Sequence, residues 1–237
     1  MSIGQANEKS EVTSGIRKRM LQVILTIVVS ATILFISSGH LDWVMAWAYI
    51  GVGLGIVITN ALIIIPRNPE MIAERAQVKE GTKEWDRVLI SLGASSSLIT
   101  LVVAGLDRRF GWVPELPLAI QLVALACFVL GNGLWSWSMT SNKFFSGTVR
   151  IQKERGHTVV TTGPYQFVRH PGYLGYIIFS MATPLLLGSL WALIPVGFTT
   201  CIVVVRTALE DKTLLEELYR YKDYAKRVRY RLLPGVW

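Results

Sequence analysis

Between Ile151 and Tyr176 the chain reads IQKERGHTVVTTGPYQFVRHPGYLGY, a gathering of polar and turn-forming residues placed directly before an apolar run. Gly163 and Pro164 mark a turn, and Pro171 fits the first turn of a helix, where its missing N–H costs no hydrogen bond. The start of that helix leaves backbone N–H groups unpaired, a seat for a carboxylate or phosphate, with Arg169 and His170 at its mouth. Tyr173 and Tyr176, three apart, share one face of its first turns. A second concentration is Arg206 with Glu210, at i and i+4 on one helical face. A guanidinium there presents a planar fork suited to a carboxylate. The same residues also have plain structural readings, a helix-capping histidine and a snorkelling arginine with a surface partner.

The elements that position these groups are apolar. Met20 to Ser38, Trp43 to Ile65, Val88 to Gly105 and Leu118 to Met139 are 19, 23, 18 and 22 residues long and contain no Asp, Glu, Lys or Arg. Each can cross a hydrocarbon core about 30 Å thick. Tyr173 to Leu187 and Leu190 to Val205 are shorter, at 15 and 16 residues, and only Gly188 and Ser189 part them, which predicts a helical hairpin. Such a hairpin makes the two helices antiparallel neighbours and brings Pro171 close to Arg206. The expected fold is all-α, a polytopic integral membrane protein of about six transmembrane helices. A connecting loop and a C-terminal amphipathic helix from Leu214 onward complete it. The chain reads as one membrane domain, with a two-span extension over residues 1–65, a core over 66–237, and the polar site within 150–237.

Charge sets the expected threading. With alternating spans, 22 of the 24 Lys and Arg fall on one side and only Arg108 and Arg109 on the other. Cationic segments near span ends stay cytoplasmic, so both termini are expected there. The net charge of +8 then needs no nucleic acid, and anionic lipid head groups are its natural neighbours. Cys127 and Cys201, the two cysteines, both fall within spans and supply neither a disulfide framework nor a metal site. Gly51, Gly53 and Gly55 lie inside an apolar run, so the stretch reads as close helix packing through Gly51 and Gly55 rather than a nucleotide loop, and Gly131 with Gly133 reads likewise. Trp43, Trp47, Trp85, Trp112 and Trp237 read as interfacial anchors.

The order and spacing of the polar segments resemble the C-terminal half of the isoprenylcysteine carboxyl methyltransferase family, which is related to membrane phospholipid N-methyltransferases. The resemblance runs through Gln152, His157-Thr158-Val159-Val160, Tyr165, Arg169-His170-Pro171, Tyr173 and Gly175. It continues in Arg206-x3-Glu210-Asp211 and Tyr221-x2-Tyr224, while the loop Asn68 to Leu89 is similar to loops in bacterial members. Asp211 stands where a second Glu is usual, and Tyr219-Arg220 where an aromatic-glycine pair is common.

This resemblance implies S-adenosylmethionine bound at the cytoplasmic membrane surface and a lipidic or prenylated acceptor entering from the bilayer. By position, Gln152, His157, Thr158, Val159, Val160, Tyr165, His170, Pro171, Gly172, Tyr173 and Glu210 would contact the cofactor. Arg206 would engage the acceptor's carboxylate, and Arg206 with Glu210 would form the catalytic pair. Tyr165 and Tyr173 offer ring faces to a cationic sulfur. A carboxylate acceptor is ionised near pH 7, whereas an amine acceptor needs a base, for which His170 and Glu210 are candidates.

Two other readings compete. Membrane sterol or steroid reductases that use NADPH carry a similar R-H-x2-Y-x-G turn. A non-enzymatic lipid-binding protein is disfavoured by the absence of charge inside the apolar runs.

Overall fold

The computed structural model describes residues 3–237, with side chains from Ser10 onward. Among the described residues all regular structure is helical. The eight α-helices are α1 (Ile3–Ser38), α2 (Val44–Arg67), α3 (Pro69–Glu74), α4 (Glu84–Phe110), α5 (Leu118–Ser141), α6 (Pro171–Leu186), α7 (Leu193–Glu217) and α8 (Tyr221–Arg227). Helices α1, α2, α4, α5 and α7 are long and apolar enough to cross a membrane. The large exposed side chains of α1, α2 and α5, among them Leu25, Leu62, Val123 and Leu130, form an outer surface suited to lipid rather than water. The protein is therefore a multi-pass integral membrane protein.

The apolar runs read from the sequence are helical except at Trp43, Leu187 and residues 190–192, and α6 has 16 residues and is shorter than a full span. Its link to α7 is also longer than two residues, covering Leu187 to Ala192. Gly188 turns there with φ +77°, and the Ser189 hydroxyl donates to Asp107 Oδ2 at 2.6 Å, tying the link to the end of α4. Helix α6 lies chiefly along α5, and α7 along α4, so these four helices form the frame of the site.

Local chemistry explains the boundaries. Asn68 precedes Pro69, whose ring disfavours a helical residue before it, and its φ of −151° breaks the chain between α2 and α3. Glu84 and Asp86 sit in the first turn of α4, where the helix dipole favours negative charge. Gly111 closes α4 in the left-handed conformation, its N–H donating to the Asp107 carbonyl at 2.8 Å.

Small residues set how closely helices approach. A Cβ built on Gly131 would lie 2.6 Å from the Phe179 nitrogen, and one on Gly175 would lie 2.7 Å from the Gly131 carbonyl oxygen, so α5 and α6 touch backbone to backbone. The packing expectation for Gly51 and Gly55 does not hold within this chain, and Gly53 between them is equally open. Nothing stands within 4 Å of a Cβ at any of them, nor at Gly133. Gly55 and Gly133 instead border a groove between α2 and α5. Trp43 also departs from the interfacial reading, being buried with Leu34, Leu101 and Ala104 in the α1–α4 core.

Candidate active site

The long connection between α5 and α6 folds back over one end of the bundle, and the start of α6, the second half of α7 and α8 complete a cavity of about 150 Å³ beneath it. Its wall includes Gln152, His157, Thr158, Val159, Val160, Tyr165, His170, Gly172, Tyr173, Arg206 and Glu210. Pro171 is buried behind this wall. Residues proposed from three separate stretches of sequence therefore face one space.

The connection is shaped by hydrogen bonds of its own. Gln152, almost fully buried, donates from Nε2 to the Phe144 carbonyl at 2.7 Å and accepts from Arg155 at 2.5 Å. The Gln152 backbone N–H donates to His157 Nδ1 at 3.3 Å, and the His157 ring lies 4.5 Å from that of Phe144. Burial, then the charges of Arg150 and Arg155, push the His157 pKa down from 6.5 to about 4, so the imidazole is neutral and accepts at Nδ1. Buried Glu74 anchors the connection to α3, receiving Arg150 and Lys79.

At the mouth of α6, Tyr173 donates its hydroxyl to Glu210 on α7. The rings of His170 and Tyr173 stack at 5.8 Å, and the Arg206 guanidinium lies 5.2 Å from the Tyr173 ring centre. Gly172 is bare for a reason, since a Cβ there would come within 2.8 Å of the Phe145 ring. Tyr176 turns away from the cavity, its hydroxyl 3.2 Å from Ser97 on α4.

Arg206 already has a carboxylate. Its Nε donates to Asp86 Oδ1 at 2.6 Å, and its Nη2 to Asp86 Oδ2 at 3.3 Å and to the Gly147 carbonyl at 2.9 Å. The expectation of an open fork at Arg206 is corrected by this pairing, which leaves a ligand carboxylate only Nη1. Asp86 is fully buried and also accepts the Val149 backbone N–H at 2.7 Å. It lies 120 residues from Arg206 in sequence, so no local spacing pointed to it.

Asp211 organises the other side. Its carboxylate, fully buried, receives Arg169 Nε at 2.8 Å and Nη2 at 2.9 Å, the Tyr221 hydroxyl at 2.9 Å, and Arg231 Nε at 2.8 Å. His170 Nε2 is 3.2 Å from it. These bonds, with Tyr224 donating to the Tyr165 carbonyl at 2.7 Å, hold α8 and the C-terminal tail over the cavity. Burial, reinforced by Asp211, raises the pKa of Tyr221 and of Tyr224, and burial does the same for Tyr165, so all three remain donors at neutral pH.

The cavity also takes residues that the sequence reading did not single out: Arg75, Trp135, Asn142, and the run from Phe144 to Val149. Arg75 follows α3, inside the loop whose likeness to bacterial proteins was the one available signal. Burial and the charges of Arg19 and Arg206 lower its pKa to about 9, and it stays cationic at pH 7.

The fold and the cavity define an integral membrane protein with a partly charged pocket at one end of its helix bundle. Residues 123–216 match the model of the isoprenylcysteine carboxyl methyltransferase (ICMT) family. It is 30% identical over 117 residues to a protein-S-isoprenylcysteine O-methyltransferase of Dictyostelium discoideum, covering 48% of this chain and 49% of that protein. It is 29% identical over 136 residues to a delta(14)-sterol reductase of Mus musculus, covering 51% of this chain and 32% of that one. A solved structure of the eukaryotic intramembrane Ras methyltransferase ICMT aligns over 96% of this chain and 94% of that chain, with 16% identity and a TM-score of 0.46. The chain spans about half the length of the curated methyltransferase relatives it matches.

Proposed function

We propose that the protein is an S-adenosylmethionine-dependent methyltransferase that esterifies the carboxylate of a prenylated cysteine or a similar isoprenoid acid. One observation carries this reading: the His157–Val160 segment, the start of α6 and the Arg206/Glu210 pair line a single cavity. The family match over residues 123–216 supports it. The excess of Lys and Arg at this end of the bundle supports a cytoplasmic position for the site and both termini.

The residues present suit the proposed cofactor. Aromatic faces at Tyr165 and Tyr173 complement a sulfonium, Glu210 complements an ammonium group or ribose hydroxyls, and the backbone N–H groups at the start of α6 complement a carboxylate. Gln152, His157, Thr158, Val159, Val160, His170 and Gly172 would form the remaining contacts, with Pro171 fixing the first turn behind them. The cavity, at about 150 Å³, is smaller than the roughly 300–1,000 Å³ of ordinary ligand pockets.

When bound, the cofactor supplies an activated methyl group. The transfer forms an oxygen–methyl bond and breaks a sulfur–methyl bond, and the charges of an anionic acceptor and a cationic sulfur cancel as it proceeds. The protein's task is therefore alignment and exclusion of water, which Tyr165, Tyr173 and the tyrosines of α8 perform by walling the cavity. A carboxylate acceptor needs no proton removed. Arg206 and Glu210 hold the charge pattern around it, Arg206 fixed by Asp86 and Glu210 by Tyr173.

The match to a sterol reductase favours a second reading, an NADPH-dependent reductase. Thermal unfolding of the detergent-purified protein separates the two. Stabilisation by S-adenosylmethionine and not by NADPH is expected, and the opposite result would overturn the methyltransferase reading.

A further inference from the structure

Four arginines line the cavity: Arg75, Arg150, Arg169 and Arg206. Three have carboxylates of their own. Arg150 pairs with Glu74 and Glu154, Arg169 with Asp211, and Arg206 with Asp86. Arg75 has no carboxylate partner among the described residues. Its side chain donates one hydrogen bond, from Nη1 to the Ser146 carbonyl at 3.2 Å, and lies against two rings, 5.7 Å from the centre of Trp135 and 5.1 Å from that of Phe145.

The geometry around this group is built. Arg206 donates to the Gly147 carbonyl, so adjacent carbonyls of one turn hold two guanidiniums, one neutralised by Asp86 and the other not. Phe145 in turn occupies its place because Gly172, at the start of α6, has no side chain. The position of Arg75 is thereby coupled to the helix start that frames the cavity. Ring faces attract a cation but do not neutralise it, and a guanidinium has five N–H donors, most of them unused here. A cation removed from bulk water without a counterion is costly, and a ligand anion removes that cost.

We propose that Arg75 is the seat of the acceptor's carboxylate, the residue through which the cavity selects an anionic substrate over a neutral or cationic one. This rests on the methyltransferase reading for the identity of the ligand. Glu210 is engaged by Tyr173, and Asp86 by Arg206 and the Val149 N–H, so neither competes for Arg75. The uncompensated positive charge also works against an amine acceptor, which arrives as a cation or must lose a proton first. Methylation turns the bound anion into a neutral ester, which ends the pairing and favours release of the product.

The test measures binding of S-farnesyl-N-acetylcysteine and of its methyl ester to the full-length protein in nanodiscs, for wild type, Arg75→Gln and Arg75→Lys. Wild type should prefer the acid by about tenfold or more, as charge-assisted pairing to a guanidinium provides. Arg75→Gln should lose that preference while its affinity for the ester and for S-adenosylmethionine is unchanged, and Arg75→Lys should recover part of it. Undiminished preference in Arg75→Gln would overturn the proposal, as would equal weakening of acid and ester or a wild type indifferent to the carboxylate. Methyl transfer by the wild-type protein to the same acid is scored separately. Its absence alongside an Arg75-dependent acid preference would refute the parent reading and leave the anion seat standing.

Discussion

Asp86, in the first turn of α4, and Arg206, in the second half of α7, meet at 2.6 Å between Oδ1 and Nε. This contact joins two helices that frame the cavity, and through the Val149 N–H it also pins the connection folded over the end of the bundle. Arg206 is therefore a fixed charge in the wall, held in a chosen orientation.

Asp86→Ala removes that counterion and strands a guanidinium whose side chain is 15% exposed. Loss of one partner of a buried pair costs about 3–5 kcal/mol. Thermal unfolding in detergent should show a marked fall in Tm, and a change within scatter would contradict the role assigned to the pair.

Tyr173 and Glu210 bridge α6 and α7 at the cavity. Glu210→Ala is expected to reduce S-adenosylmethionine affinity by about tenfold or more, the loss of a charge-assisted contact. Tyr173→Phe keeps the ring and frees Glu210, so its loss should be smaller. Calorimetric titration of both variants checks the order.

His157 has its pKa pushed down to about 4 from an ordinary 6.5. A group depressed on folding stabilises the protein above its unfolded pKa, and that contribution is lost as pH falls from about 6.5 towards 4. Melting temperature should decline across this window, and His157→Asn should flatten the decline. An equal slope in the variant would assign the titration to another group.

Glycines provide a contrast between helix contacts. Gly131→Ala places a Cβ 2.6 Å from backbone on α6 and should destabilise strongly, whereas Gly53→Ala meets nothing within 4 Å. On a helix surface the second change removes glycine's entropy cost of about 0.5–1 kcal/mol and is expected to be neutral or mildly stabilising. Parallel melts of the two variants decide it.

Much of this architecture was legible because lipid permits so few solutions. A span must be apolar and helical, so Met20–Ser38 or Leu118–Met139 announces itself by composition. The turn at Arg169–Tyr173 was legible from its residue types and the segment around His157 through its resemblance to a known family, and the structure brings both to Arg206 and Glu210. Contacts between distant segments left no such trace. Nothing near Arg206 points to Asp86, and Arg75 reads as one more cation on a basic loop until Trp135 and Phe145 are seen around it. Glycine spacing misled for a related reason: Gly131 and Gly51 look alike in sequence, and only the neighbouring helix decides which is a contact. Trp43 was misread because a tryptophan at a span end packs inward when another helix covers it.

The most direct test of the central claim is incubation of the nanodisc-reconstituted protein with methyl-labelled S-adenosylmethionine and two acceptors, a farnesylated cysteine acid and a lipid amine. The account predicts label in the farnesylated product alone, released as methanol by mild base, as an ester requires. Label in the amine lipid, stable to base, or none in either acceptor would contradict it.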